Sequence, residues 1–201
     1  MMGTKLTFSA ALAAIAGLTA CATQAALPSN VFTRASSDGG TYIDKVDFSY
    51  SANEPQDFSK LKLCVAENIT NDPVTLQDSS DSFVGAYTGN YYRNSNTQII
   101  SGQGVFKYVD DKASALIANG STISNSNQLI PVKDIVKFDM KSSLVGSKVN
   151  IVFMNITRAQ KETGAIANDG FAPVGTWYGA RSQDIYTSIE VVANKIKSCM
   201  K

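Results

Sequence analysis

The chain has 201 residues, 44% of them hydrophobic and 17% charged, with 18 basic and 17 acidic side chains and no histidine. That length holds one domain with a sizeable core and is short for two. The balanced charge excludes the basic excess that a nucleic-acid or polybasic membrane surface needs, and the missing histidine excludes His-based catalysis and most zinc or haem ligation.

Met1 to Lys5 is a short start with a single positive charge, and Leu6 to Gly17 (LTFSAALAAIAG) is an apolar, helix-prone run. It stops short of the roughly 20 residues that cross a bilayer, so it reads as a secretory signal over residues 1–20. Leu18-Thr19-Ala20-Cys21 closes it. An aliphatic residue, two small residues and a Cys resemble the lipobox of bacterial lipoproteins, with all four positions matching. The resemblance covers residues 1–21 and implies cleavage before Cys21, a diacylglyceryl thioether on its thiol and an acyl chain such as palmitate on its new amine. Two or more acyl chains anchor stably at about 0.8 kcal/mol per buried CH₂, whereas one is marginal. Ala22 stands where an Asp would resemble an inner-membrane retention signal, so the implied destination is the outer membrane, with the domain facing the periplasm.

Residues 22–40 show no sustained period and end in Ser-Ser-Asp-Gly-Gly, which predicts a flexible tether after the lipidated Cys21. The globular domain is expected over 41–201, and alternation dominates it. Thr41 to Ser51 predicts a strand with Tyr42, Val46, Phe48 and Tyr50 on one face and Asp44 as the exception. Leu61 to Ile69 predicts a central strand with Leu61, Leu63 and Val65 facing one way and Cys64 and Ala66 the other. Residues 70–98 and 119–131 read as polar loops. Val105 to Val109 and Ala113 to Ala118 flank a turn at Asp110-Asp111-Lys112 and predict a hairpin. Ile135 to Ser142 and Lys148 to Ile156 predict another about Leu144 to Ser147, with Val149, Ile151 and Phe153 inward. Ile185, Ile189, Val192, Ile196 and Cys199 recur at helical spacing after Ser182, a predicted N-cap. The expected class is α+β, a mostly antiparallel sheet of five or six strands covered by one C-terminal helix.

No stretch of the domain carries a strong chemical motif. Ser101-Gly102-Gln103-Gly104 lacks a third glycine and precedes a strand, so it is a turn rather than a dinucleotide loop. Asp78, Asp81, Asp110 and Asp111 do not have calcium-loop spacing. Asp47, Glu54, Glu67 and Asp139 leave carboxylate-pair hydrolysis formally open, without a spacing that singles out two of them. No cofactor and no metal are expected.

Two segments stand out as candidate binding surface. Phe171 to Arg181 places Trp177, Tyr178 and Arg181 among glycines, and Tyr87 to Asn94 carries Tyr91 and Tyr92. Aromatic residues and Arg are the types favoured at binding hot spots. The alternative for Trp177 is a plug at the end of the sheet. The functional expectation is a non-enzymatic, outer-membrane-anchored module that binds an envelope protein or peptidoglycan. A glycan or small-ligand module and a His-free hydrolase are the alternatives. With Cys21 lipidated, Cys64 and Cys199 remain as an even pair in an oxidising compartment and are predicted to form a disulfide.

Overall fold

The computed structural model describes residues 26–52, 54–126 and 131–201. The signal segment and the lipidation expected at Cys21 lie outside them.

The main sheet is antiparallel and has seven strands. β1 (Val31–Ala35), β2 (Thr41–Ser51), β10 (Lys148–Gln160), β9 (Val132–Val145), β8 (Ala115–Ser126) and β7 (Phe106–Asp110) follow one another across it, and β11 (Ala172–Pro173) pairs with β10. Two short hairpins stand apart: β3 (Val74–Asp78) with β6 (Asn96–Ile100), and β4 (Phe83–Val84) with β5 (Tyr91–Tyr92). Among the described residues two helices, α1 (Phe58–Asn68) and α2 (Ser182–Cys199), accompany the strands. The class is α+β and mostly antiparallel as expected, with a larger sheet and one more helix.

Both helices pack on one face of the sheet. Val136, Phe138, Met140 and Leu144 of β9 alternate toward them, beside Val149, Ile151 and Phe153 of β10. Ile185, Ile189, Val192 and Ile196 form the buried stripe of α2. Truncating one of these side chains to Ala costs about 2–5 kcal/mol, so this layer holds the fold together. Gly120 of β8 lies beneath Ile69 and Phe138, where a Cβ would come within 2.6 Å of the Phe138 ring, and its bareness lets the end of α1 close onto the sheet. On the other face a smaller cluster of Leu76, Ile135 and Ala159 seats the β3–β6 hairpin.

Several expectations are corrected. Leu61 to Asn68 is helical and Ile69 is the extended C-cap, because Asp57 caps the first turn by accepting from the Ser59 N–H and Phe58, Leu61, Cys64 and Val65 make a helical stripe. Leu63, expected inward, is 57% exposed. The alternation of β2 breaks at Asp44, which bulges: Thr33 pairs with Ile43 after Phe32 pairs with Lys45. Ile43 therefore enters the core and Tyr42 turns to the face away from the helices. A second bulge, at Asn155 with φ 53°, places both Phe153 and Ile156 in the core.

The expected tether to residue 40 contains β1, which pairs with β2, and Leu27 packs against the core. The loop expected at 70–98 holds β3, β4, β5 and part of β6, and β8 runs on to Ser126. Ser182 is buried inside α2 rather than capping it. Arg181 takes the N-cap position in the left-handed region at φ 59°, without a side-chain cap bond.

Candidate binding surface

Hydrogen bonds accepted by one carboxylate position the hairpin that carries Tyr91 and Tyr92. Asp78, at the end of β3, accepts from the Ser80 N–H at 3.0 Å, the Ser80 hydroxyl at 2.7 Å and Asn96 Nδ2 at 2.9 Å. Its second oxygen accepts from the Asn168 N–H at 3.1 Å, which ties the hairpin base to the loop after β10. These donors favour the charged form, the Ser80 backbone N–H most, and hold the Asp78 carboxyl well below the usual range.

Above this base, Phe83 pairs with Tyr92 and Val84 with Tyr91. Two-residue strands are too short to bury anything alone. The Tyr92 ring stacks on Phe83 with centroids 5.1 Å apart, while Phe83, Val84, Tyr87, Tyr91 and Tyr92 remain exposed. Gly89, at φ 66°, closes the connecting turn by donating to the Gly85 carbonyl. The result is a protruding aromatic tip. Sequence reading found Tyr87, Tyr91 and Tyr92 and missed Phe83 and Val84, because a two-residue strand leaves no readable alternation.

Trp177 and Tyr178 sit elsewhere at the same end of the main sheet, where β2 begins and β10 finishes. Past β11 the chain pairs with the start of β2, the Ile43 N–H donating to the Val174 carbonyl and the Thr176 N–H to that of Thr41. Trp177 meets Tyr42 edge-on with centroids 5.4 Å apart and is 51% exposed; Tyr178 is 73% exposed. A Cβ on Gly175 would overlap the Trp177 ring, so this approach requires glycine. Trp177 is neither a buried plug nor a free ring: one edge is fixed and the rest is open. Among the described residues no ring contact links it to Tyr91 or Tyr92.

Arg181 is removed from this surface. Its guanidinium is turned inward onto Asp134, a carboxylate only 1% exposed, with Nε donating at 2.6 Å. Its charge is spent on the fold, which corrects the expectation that it contacts a partner.

The carboxylates weighed for hydrolysis are likewise occupied or dispersed. Asp139 accepts from Lys107 at 2.6 Å and from Asn155 at 2.8 Å, and Asp47 from Lys45 at 2.7 Å. Glu67 lies at the end of α1, and Glu54 is exposed. Among the described residues no group of three or more acidic or Cys side chains is placed to hold a metal ion. No helix among them is long and apolar enough to cross a membrane.

Cys64 and Cys199 are joined in a disulfide, their Cα atoms 5.6 Å apart. The bridge links helix to helix, since Cys64 lies on α1 rather than on a strand.

No family model matches the chain, and no curated protein matches it. Among solved structures, the crystal structure of a DUF4468 family protein from Bacteroides ovatus is similar over 85% of this chain and 84% of its own, at 8% identity and a TM-score of 0.41.

Proposed function

We propose that the chain is a lipoprotein of the bacterial outer membrane, anchored by acyl chains on Cys21, whose folded part is a non-enzymatic module facing the periplasm. Its aromatic end engages another envelope component, a protein or peptidoglycan. The observation that carries the binding role is the exposed hairpin tip of Phe83, Val84, Tyr87, Tyr91 and Tyr92, whose large side chains stay in water at a cost that only a partner would recover. The Leu18 to Cys21 motif supports the anchor, and the Cys64–Cys199 bridge suits an oxidising compartment.

The packing of Leu27 adds a geometric consequence. Leu27 lies six positions after Cys21, a reach of about 20 Å when fully extended. An anchored domain therefore stays close to the membrane. β1 runs from this attachment toward the residue 36–40 turn, so the Trp177 end of the sheet lies away from the anchor.

Mass spectrometry of the membrane-extracted protein tests the anchor: the expected N-terminus is Cys21 carrying acyl chains, and a soluble protein starting at Ala22 or later would refute it. A photo-crosslinker at Tyr87 tests the surface. It should capture one envelope component, or pellet with purified peptidoglycan, while the same group at Lys141 on the open polar face does not. Equal labelling from both positions would defeat the assignment.

A further inference from the structure

The edge of β8 is closed only in part. β7 pairs with it from Ala115 to Ala118, the Asn119 N–H donates to the Val105 carbonyl, and the Ser121 N–H donates to that of Thr70. Beyond Ser121 no backbone hydrogen bond closes that side among the described residues. The outward N–H groups fall on alternate residues, as antiparallel pairing requires. Asn119 and Ser121 set the phase, so Ile123 and Asn125 present the next N–H and C=O groups outward, and both residues are exposed.

This open edge lies in a groove of about 730 Å³, within the range of roughly 300–1,000 Å³ typical of ligand sites. Val191 and Val192 of α2 wall one side, Val74 and Thr75 of β3 wall the other, and Ile123 projects between them. The edge is recessed between those walls, so it admits a slender strand but not the edge of a second sheet with helices of its own. The groove is also bipolar. Glu67 and Asp72 lie at the Ser121 end, with Lys195 of α2 near Glu67, and Lys161 lies at the far end; none of the four takes part in an ion pair among the described residues, and the Ser121 end keeps an acidic excess.

We infer that this groove is a second binding site, which takes an extended peptide segment of a partner protein as an added strand on β8. Unpaired, regularly spaced backbone donors and acceptors are satisfied best by another extended backbone, and the flanking apolar walls select alternate side chains. Every pairing in the main sheet is antiparallel, and an antiparallel guest places its C-terminal end beside Glu67 and Asp72. A basic residue there and an acidic one at the Lys161 end complement the groove. This site is separate from the aromatic tip and does not depend on the lipid anchor.

The probe is the capped peptide Glu-Val-Thr-Val-Thr-Val-Lys, titrated into the full chain in detergent and followed by fluorescence anisotropy and hydrogen exchange. Binding tighter than about 1 mM is expected, with slowed exchange at Ile123 and Asn125. N-methylating one central amide of the peptide should weaken it roughly tenfold, since only backbone pairing is lost. Asp72→Lys, an exposed change that leaves the fold intact, should weaken it several-fold, and Ile123→Pro, which removes an outward N–H together with the side chain between the walls, should abolish it, while Ile123→Val, which keeps the N–H, should retain it. No measurable binding, binding indifferent to N-methylation, or binding that leaves exchange at Ile123 and Asn125 unchanged would each overturn the proposal.

Discussion

Asp134 and Arg181 are joined by two hydrogen bonds, from Nε at 2.6 Å and from Nη2 at 2.9 Å, across the junction between β9 and the first turn of α2. Arg158 adds a third at 3.4 Å, so two guanidinium groups share one buried carboxylate. Burial first, and then the Arg181 charge, lower the Arg158 pKa from its usual value. The carboxylate is what makes two adjacent cations tolerable there. Asp134→Ala is therefore expected to cost about 3–5 kcal/mol in urea denaturation, because it leaves two part-buried charges without an anion. A loss under about 1 kcal/mol would mean that water already serves them.

Trp177 separates binding from folding. With one edge on Tyr42 and half its surface open, Trp177→Ala should lower stability by no more than about 1–2 kcal/mol. The same change should weaken capture of the envelope component. A larger loss of stability with unchanged capture would make the ring structural.

These outcomes follow how legible each element was in the sequence. The β9–β10 hairpin and the α2 stripe were readable because one clean period runs along each: Val136, Phe138 and Met140 in one, Ile185 to Ile196 in the other. α1 was misread because Leu61, Leu63 and Val65 satisfy a period of two as well as Leu61, Cys64 and Val65 satisfy a helix. The Asp57 cap was the signal that decides between them. Bulges at Asp44 and Asn155 reverse the parity of their strands; Asp44 showed as an exception in the alternation, but a polar exception alone does not say that the strand resumes on the opposite face. Arg181 looked like a surface hot spot because its partner, Asp134, is 47 residues away in the chain.

Tyr50 carries a hydroxyl that is buried without a partner, and burial pushes its pKa up to about 12. A buried donor left unmade costs about 1–3 kcal/mol. Tyr50→Phe keeps the ring in the core and removes the cost, so the variant should gain up to about 1 kcal/mol in thermal or urea unfolding. Destabilisation would show that the hydroxyl has a partner in solution.

Asp78 makes the hairpin base sensitive to acid. Its folded pKa lies below the ordinary 3.8, chiefly through the Ser80 backbone N–H. The charged form therefore stabilises the fold above 3.8, and that contribution is lost as pH falls below it. Amide exchange at Ser80, Asn96 and Asn168 should quicken in that acid window and stay slow at neutral pH. Asp78→Asn should show fast exchange there at every pH. An acid response identical in the two proteins would rule out Asp78 as its source.

Cys64 and Cys199 close a separation of 135 residues, joining the middle of α1 to the last residue of α2. Beside the bridge, Lys60 Nζ donates to the Met200 carbonyl at 3.1 Å, and Ile196 and Met200 share the buried core with Leu61 and Val65 of α1. Loop closure of this length removes conformational freedom from the unfolded chain worth roughly 5 kcal/mol, an upper figure because engineered bridges deliver less. The native protein should show no free thiol until it is reduced or unfolded. Cys199→Ser should then loosen the end of α2 before anything else, since beyond the bridge that last turn keeps only the part-buried Lys60 bond and the packing of Ile196 and Met200, and chain ends fray first. Exchange from Ile196 to Met200 should rise at least several-fold while that of β9 and β10 changes little. Two thiols titrating readily in the unreduced native protein, or a Cys199→Ser variant with unaltered exchange at the end of α2, would sink the idea.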